Sequence, residues 1–591
     1  MNTRRTMKIN INLILLALSV LLITGCTKTK GQQAAENLWV VLREDKGYIA
    51  KENVLECKMG KEVSFEVETV PGVTVKGCDY DGEYEIDEDE SAGDGYVHRY
   101  FIKLKDIQRI ETISLLTERE SKTICYDNGE KAEVPLFHRG INTLRADQCD
   151  YNGDGTLLGF KTDKGKFVTC GSRIDKTDGD KLKTIFKKWT KEDLFITEKS
   201  GDGCKITGVK KSLFDDLIIP GEIGGRKVYA LESEAFSNIK ADKIVLPTGL
   251  LKVSDRAFQG AKINLLYIND DVRDFSPRAF EGARVGRLKV IAATAPVYSG
   301  NYFDGFADKL EALKAVSDEK KIVLFSGSSA RFGYDSRAIE EAFPGYKVIN
   351  MGVFAYTNAL YQLRLIREQM MEGDILVLSP EFDASQSQFC IANNLEWHVF
   401  AMTEGNYSLL DDLDLSEYEG VWQAFSTYLT EKRSMEKRDY NMSVFEYDED
   451  GKEADSPVYN GAGDYVLFRP NASDNTPIYD LPVLYAKEGF PENTYIKPFN
   501  KMCREFLNRG IRVYFTYAPR NRAALSKEST KEKINELDKY LRDELVIPVI
   551  SDINDSLFEG RYLYGTDNHL STEGVKIRTK KLIKDLGREL S

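Results

Sequence analysis

The 591-residue chain has four histidines, and histidine is the side chain whose unperturbed proton equilibrium lies near neutral pH. His98 and His138 fall in a β-patterned N-terminal region. His398 closes Asn394-Leu395-Glu396-Trp397-His398, inside an irregular stretch. His569 follows a strand pattern and closes Asp567-Asn568-His569, so a carboxylate stands two residues before it. A serine hydroxyl attacks only when a base takes its proton and an acid orients that base. Ser326-Gly327-Ser328-Ser329-Ala330 offers such a serine, in a small-residue turn after the apolar run Ile322-Val323-Leu324-Phe325. Asp567 would accept from one ring nitrogen of His569 while the other faces Ser329. A second apolar pair, Val348-Ile349, ends in Asn350-Met351-Gly352, where Gly352 lets backbone approach a ligand closely. Acyl chemistry of this kind calls for no metal and no organic cofactor, and no Cys-x-x-Cys pair is present to suggest zinc.

These groups meet only if strand ends are gathered at one edge, and the last 299 residues (293–591) carry the pattern that does so. Helices are expected over Ser336–Phe343, Thr357–Met371, Phe499–Leu507, Lys531–Leu545 and Thr572–Leu586. Between them lie the strands already named, then Ile375-Leu378, Val513–Tyr517 and Val549-Ile550. Ile375-Leu376-Val377-Leu378 is continuously apolar, as in parallel sheets covered on both faces. The alternation predicts a doubly wound α/β domain with its site outside the carboxyl ends of the strands. The irregular segment 383–480 is expected as a lid or partner-docking insertion. Its Trp397 and Trp422 suit either stacking on sugars or core packing.

The remainder is modular, because a chain this long exceeds one core. Residues 1–26 read as a secretory signal: a basic start, a short apolar run from Leu13 to Ile23, then Thr24-Gly25-Cys26. Residues 27–139 read as a β-sandwich and 140–192 as a small β-rich module. Asp150-Tyr151-Asn152-Gly153-Asp154-Gly155 matches the start of a calcium loop, but Lys161 holds the position of the bidentate Glu, which favours a plain turn. In 193–292, Ala235-Phe236, Ala257-Phe258 and Ala279-Phe280 recur every 22 residues, with four further apolar columns in step. That period predicts a solenoid whose repeats bury their faces on one another. The net charge of −13 argues against nucleic acid or anionic lipid as a main partner. Of nine cysteines, Cys26 is accounted for by the leader. Six more lie in the first third, where an extracellular setting permits disulfides of unspecified pairing.

Several stretches resemble known families. Ile23-Thr24-Gly25-Cys26 resembles the lipobox of bacterial lipoproteins, which implies a diacylglyceryl Cys26 and a membrane-lipid anchor on the outer face. Residues 140–192 resemble internalin B-repeat modules. The repeats, with Ile206-Thr207-Gly208, Ile218-Ile219-Pro220 and Ser233-Glu234-Ala235-Phe236, resemble BspA-like leucine-rich repeats over about 90 residues. The C-terminal blocks, over about 290 residues, resemble the SGNH hydrolase superfamily, a flavodoxin-like α/β fold, with an Asp-x-His ending like that of the alginate O-acetyltransferase branch. That resemblance implies Ser329 as nucleophile, His569 as base, Asp567 as its orienting acid, and the N–H groups of Ser329 and Gly352 as oxyanion donors. In this chain Ser328 replaces the family Asp, and Ser379-Pro380-Glu381-Phe382-Asp383 stands where the family has an oxyanion Asn, whose loss typically costs roughly 10²–10³ in rate. The implied activity is a surface serine esterase or O-acyltransferase acting on acylated polysaccharide. Transfer would require a membrane partner to supply acyl groups. The rival is a non-catalytic surface binder with a degenerate SGNH-like domain.

Overall fold

In the strand Lys61–Thr69, Val63, Phe65 and Val67 alternate with outward polar residues, and this period of two recurs in its neighbours. The computed structural model closes these strands into a sandwich of two four-stranded sheets. One runs Val54–Lys58, Asn37–Arg43, Glu111–Arg119, Val73–Cys78; the other runs Tyr48–Ala50, Lys61–Thr69, Arg99–Ile107, Tyr84–Glu88. Val40, Leu42, Phe65, Ile102, Leu104 and Ile113 fill the space between them. The structure describes residues 37–45, 47–89, 98–136, 140–149, 153–298, 305–353, 359–382, 395–411, 413–436, 460–466, 469–478 and 482–591. The expected leader and lipid anchor at Cys26, together with His138 and the whole 383–394 stretch with Cys390, lie outside them.

The first domain boundary differs from the expected position at 139. Ser121–Tyr126 and Lys131–Pro135 leave the sandwich and join a five-stranded sheet with Lys181–Lys188, Gly155–Thr162 and Phe167–Thr169. The sandwich therefore ends near residue 120. The resemblance to a calcium loop falls partly on 150–152, outside the described residues. Within it, the Asp154 carboxylate sits 2.9 Å from Lys188 Nζ. Among the described residues, Cys57, Cys78, Cys125, Cys170, Cys204 and Cys503 are free thiols.

The 22-residue step is physical. Strands Leu213–Ile218, Lys240–Val245, Lys262–Asn269 and Arg284–Ile291 form a parallel sheet in which Lys240 faces Lys262 and Lys262 faces Arg284. A second ladder, through Arg226–Leu231, Lys252–Val253 and Asp274–Phe275, keeps the same step. The Phe236, Phe258 and Phe280 rings stack at 5.0 and 4.8 Å, with interplanar angles of 12° and 4°. Such a stack needs its last face covered. The helix Val421–Glu436, from the insertion of the following domain, covers it: Trp422 stacks on Phe280 at 4.2 Å and Phe425 meets Phe275 edge-on at 5.3 Å. Trp422 is thus core packing, the second of the two roles expected for it.

A buried ionic network fixes that junction. Lys432 Nζ lies 2.9 Å from Asp270 Oδ2 and 2.6 Å from Glu404 Oε1. Asp270 Oδ1 accepts from the backbone N–H groups of Ala293 and Thr294, and Glu404 Oε2 from those of Val297 and Tyr298. Tyr407 donates to Asp270 and Tyr428 to Glu404.

The C-terminal half is built on a parallel sheet in the order Lys347–Asn350, Lys321–Phe325, Ile375–Leu378, Arg512–Phe515, with Val549 bridging Phe515 at its far edge. Alternate residues of each strand serve opposite faces. Ile322, Leu324, Val348 and Val377 pack with Ile339, Leu582 and Leu586. Val323, Phe325, Leu376 and Phe515 pack with Leu310, Leu363, Phe499 and Phe506 on the other side. Helices cover both faces, which explains why these strands read as unbroken apolar runs. The sandwich docks beside this sheet, where Arg337 donates to Glu44 (2.9 Å) and to the Ala50 carbonyl (2.6 Å). Among the described residues no helix is long and apolar enough to cross a membrane.

Removing one member of a buried charge network leaves the others uncompensated. Lys432→Ala should therefore destabilise the chain by about 3–5 kcal/mol, read from urea unfolding followed by tryptophan fluorescence. A loss under about 1 kcal/mol would contradict the network described.

Candidate functional site

The carboxyl ends of the parallel strands converge as the alternation predicts. The central strand ends in Ser326-Gly327, and Ser328–Arg331 forms a single helical turn with Gly327 at its N-cap. Phe332 N–H donates to the Ser328 carbonyl (2.9 Å), closing the turn. His569 arrives from the loop between Leu563 and Leu570, which bridge each other. Thr566 Oγ1 accepts from the Asn568 and His569 N–H groups (3.2 and 2.9 Å), and Tyr564 N–H donates to the His569 carbonyl (2.9 Å). The Phe332 ring lies against the imidazole at 4.2 Å and 26°, which fixes the plane of the base.

The base meets a different serine from the one expected. His569 Nε2 is 2.8 Å from Ser328 Oγ. Ser329 is wholly buried (0% exposed, against 8% for Ser328), and its hydroxyl bonds Ser326 Oγ at 2.9 Å. Ser326 in turn donates to the Ser379 carbonyl (2.5 Å). The correction is geometric: adjacent residues on a helical turn point about 100° apart, so only one of the pair can face the histidine. Asp567 is also wholly buried, with Oδ1 accepting from Asn521 Nδ2 (2.8 Å) and the Ile478 N–H (3.1 Å).

The two expected oxyanion donors are engaged elsewhere. Gly352 N–H donates to Asn350 Oδ1 (3.0 Å), so its implied oxyanion role is not the one the geometry gives it. Its lack of a side chain serves packing instead: a Cβ there would lie 2.4 Å from the Arg331 amide nitrogen. Ser329 N–H donates to Glu381 Oε1 (2.7 Å). Asn350 Nδ2 donates to the Ala330 carbonyl (2.9 Å) and Asp464 Oδ1 (2.8 Å), and Arg578 donates to the Ser329 carbonyl (2.6 Å).

Cations crowd the site. Arg331, Arg469, Arg520 and Arg578 are all buried. Arg520 donates to Asn568 Oδ1 (2.8 Å) and Arg469 to the Leu570 carbonyl (2.8 Å), bracing the histidine loop. Burial first, then Arg469 and Arg331, hold His569 down to about 3, so its imidazole is neutral throughout the physiological range. Burial likewise pushes the Glu381 carboxyl up, while the Ser329 N–H and hydroxyl, Arg578 and Arg520 pull it down. Among the described residues no cluster of His, Cys, Asp or Glu could hold a metal. A cavity lined by Tyr334, Thr516, Tyr517 and Arg578 adjoins the site through Arg578 alone, without Ser328 or His569.

Sequence reasoning missed Ser328 as the base's partner, Glu381 as an acceptor, and the arginines. A signal for one was present: Val575, Arg578, Leu582 and Leu586 form one helical stripe, and Arg578 is the cation on it. Compared with known families and curated proteins, the chain matches no family model and no curated sequence.

The depressed basicity of His569 has a measurable cost. The unfolded chain binds its proton near 6.5 and the folded chain only near 3, so stability falls as pH drops between those values. His398, held down to about 4 by burial, acts in the same direction. Between pH 6.5 and pH 4 the native chain should lose a few kcal/mol more than His569→Gln in urea unfolding. Parallel acid limbs in the two proteins would contradict a buried neutral imidazole.

Proposed function

We propose that this chain is a surface-anchored serine esterase or O-acyltransferase acting on acyl esters of cell-envelope or extracellular polysaccharide. The observation that carries the reading is the 2.8 Å contact between His569 Nε2 and Ser328 Oγ at the carboxyl edge of a parallel sheet. Ser328 attacks the acyl carbon. His569 takes the hydroxyl proton and returns it to the leaving alcohol, with Asp567 as the acid that orients the histidine loop. The SGNH-like order of blocks supports this assignment, with the nucleophile moved one residue toward the N-terminus. The lipobox-like ending at Cys26 supports a lipid-anchored position outside the cell, and the 22-residue stack supports a leucine-rich-repeat module that presents or spaces the catalytic domain. For transfer rather than hydrolysis, a membrane protein would deliver the acyl group.

A second reading, a non-catalytic surface binder, draws support from one observation. The N–H groups of Ser329 and Gly352 both donate to side chains of this chain.

Turnover of p-nitrophenyl acetate separates the two. Ser328→Ala and His569→Ala should each lower the rate by roughly 10³-fold or more. Ser329→Ala, which removes one buried hydrogen-bonding group, should stay within about tenfold of the native rate. Loss in Ser329→Ala with retention in Ser328→Ala would return the nucleophile to Ser329. Equal rates in all proteins would favour the binder.

A further inference from the structure

Glu381 enters the site just after the Ile375–Leu378 strand and meets the serine turn at the Ser329 N–H, 2.7 Å away. With Ser328 as the attacking group, that N–H belongs to the residue after the nucleophile, the position that commonly supplies a backbone donor to a tetrahedral oxyanion. An acyl carbonyl seated on Ser328 Oγ and pointing at this N–H therefore brings its oxygen beside the Glu381 carboxyl. An ionised carboxyl there would repel the charge that develops on that oxygen, strongly so in a site from which water is excluded. A protonated carboxyl would donate to it, as buried neutral acids do in other oxyanion holes.

Resting on the serine reading above, we propose that Glu381 is a catalytic residue that acts as a neutral carboxylic acid, donating a hydrogen bond to the oxyanion formed at Ser328. The groups facing it come from three elements. Ser329 presents its N–H and hydroxyl from the serine turn, Arg578 approaches from the C-terminal helix Thr572–Leu590, and Arg520 from the short strand Arg520–Asn521. These stabilise the ionised form, and burial of a residue only 7% exposed opposes them and pushes the carboxyl up. The step balances without Glu381 losing its proton. The Ser328 hydroxyl proton passes to His569 Nε2 as the Oγ–C bond forms, and the carbonyl π pair moves onto oxygen. When the intermediate collapses, the bond to the alcohol breaks and the alkoxide takes the proton from His569. The Glu381 proton stays on Glu381 as a donor throughout.

The test uses the full chain in detergent, native and as Glu381→Gln and Glu381→Ala, with p-nitrophenyl acetate turnover and fluorophosphonate labelling of Ser328 followed across pH. The native rate and labelling should both fall as pH rises and Glu381 ionises. Glu381→Gln, which keeps a donor that cannot ionise, should stay within about tenfold of the native plateau and lack that fall. Glu381→Ala should be about 10²–10³-fold slower at every pH. Superimposable profiles for the native chain and Glu381→Gln would overturn the proposal. So would a folded Glu381→Gln as slow as Glu381→Ala. If Glu381→Ala does not fold, native against Glu381→Gln decides alone. Absence of Ser328 labelling in the native chain at every pH would remove the serine reading itself, and this inference with it. Labelling that persists with equal pH profiles would remove only the role of Glu381.

Discussion

Everything in the candidate site hangs on how the four-residue turn Ser328–Arg331 is gripped. Glu381 takes the Ser329 N–H, Arg578 takes the Ser329 carbonyl, Asn350 takes the Ala330 carbonyl, and Gly352 lies flat beneath the Arg331 amide. A single turn has no helical stability of its own. Its geometry is imposed from outside, by groups at the ends of the two parallel strands that neighbour its own and on the final helix. The sheet makes this possible because parallel strands present all their carboxyl ends on one edge. The turn needs only short reaches from each to be fixed, and that fixing sets Ser328 toward His569.

The electrostatics follow from the same confinement. Four buried guanidiniums stand around one imidazole and one carboxyl, and low polarisability makes each felt by its neighbours. Burial, and after it Arg469 and Arg331, keep the histidine neutral. The arginines are held by backbone carbonyls and a side-chain amide as well as by charge, as in Arg469 to Leu570, Arg578 to Ser329 and Arg520 to Asn568. The positive field thus doubles as scaffolding for the two loops that carry the reacting groups.

Much of this was legible in the chain because it lies in local patterns. The 22-residue columns are visible since each residue packs on its own counterpart one repeat away, as the Phe236, Phe258 and Phe280 rings do. The parallel strands announced themselves by being apolar on both faces. Asp567 and His569 stood out by falling after a strand. What was not legible depended on rotation or on distant partners. Nothing in Gly327-Ser328-Ser329 says which hydroxyl a helical turn will aim at a histidine 240 residues on. Ser121–Tyr126 and Lys131–Pro135 pair with each other as any hairpin would, and only the edge of Lys181–Lys188 decides which sheet they extend. Trp422 suits sugar stacking and core packing equally until Phe280 is found beneath it.

The capped stack has a consequence for how such a chain can grow. Repeats in an open array are interchangeable, and copies can be gained or lost at either end. Here the last repeat face is mated to Trp422 and Phe425, and the Asp270–Lys432–Glu404 cluster is matched to that one rung. Duplication at the C-terminal end would strand the cluster's charges one step, 22 residues, away from their partners. Lengthening is therefore confined to rungs before the capped one, and the array and the α/β domain must be inherited together as one indivisible unit.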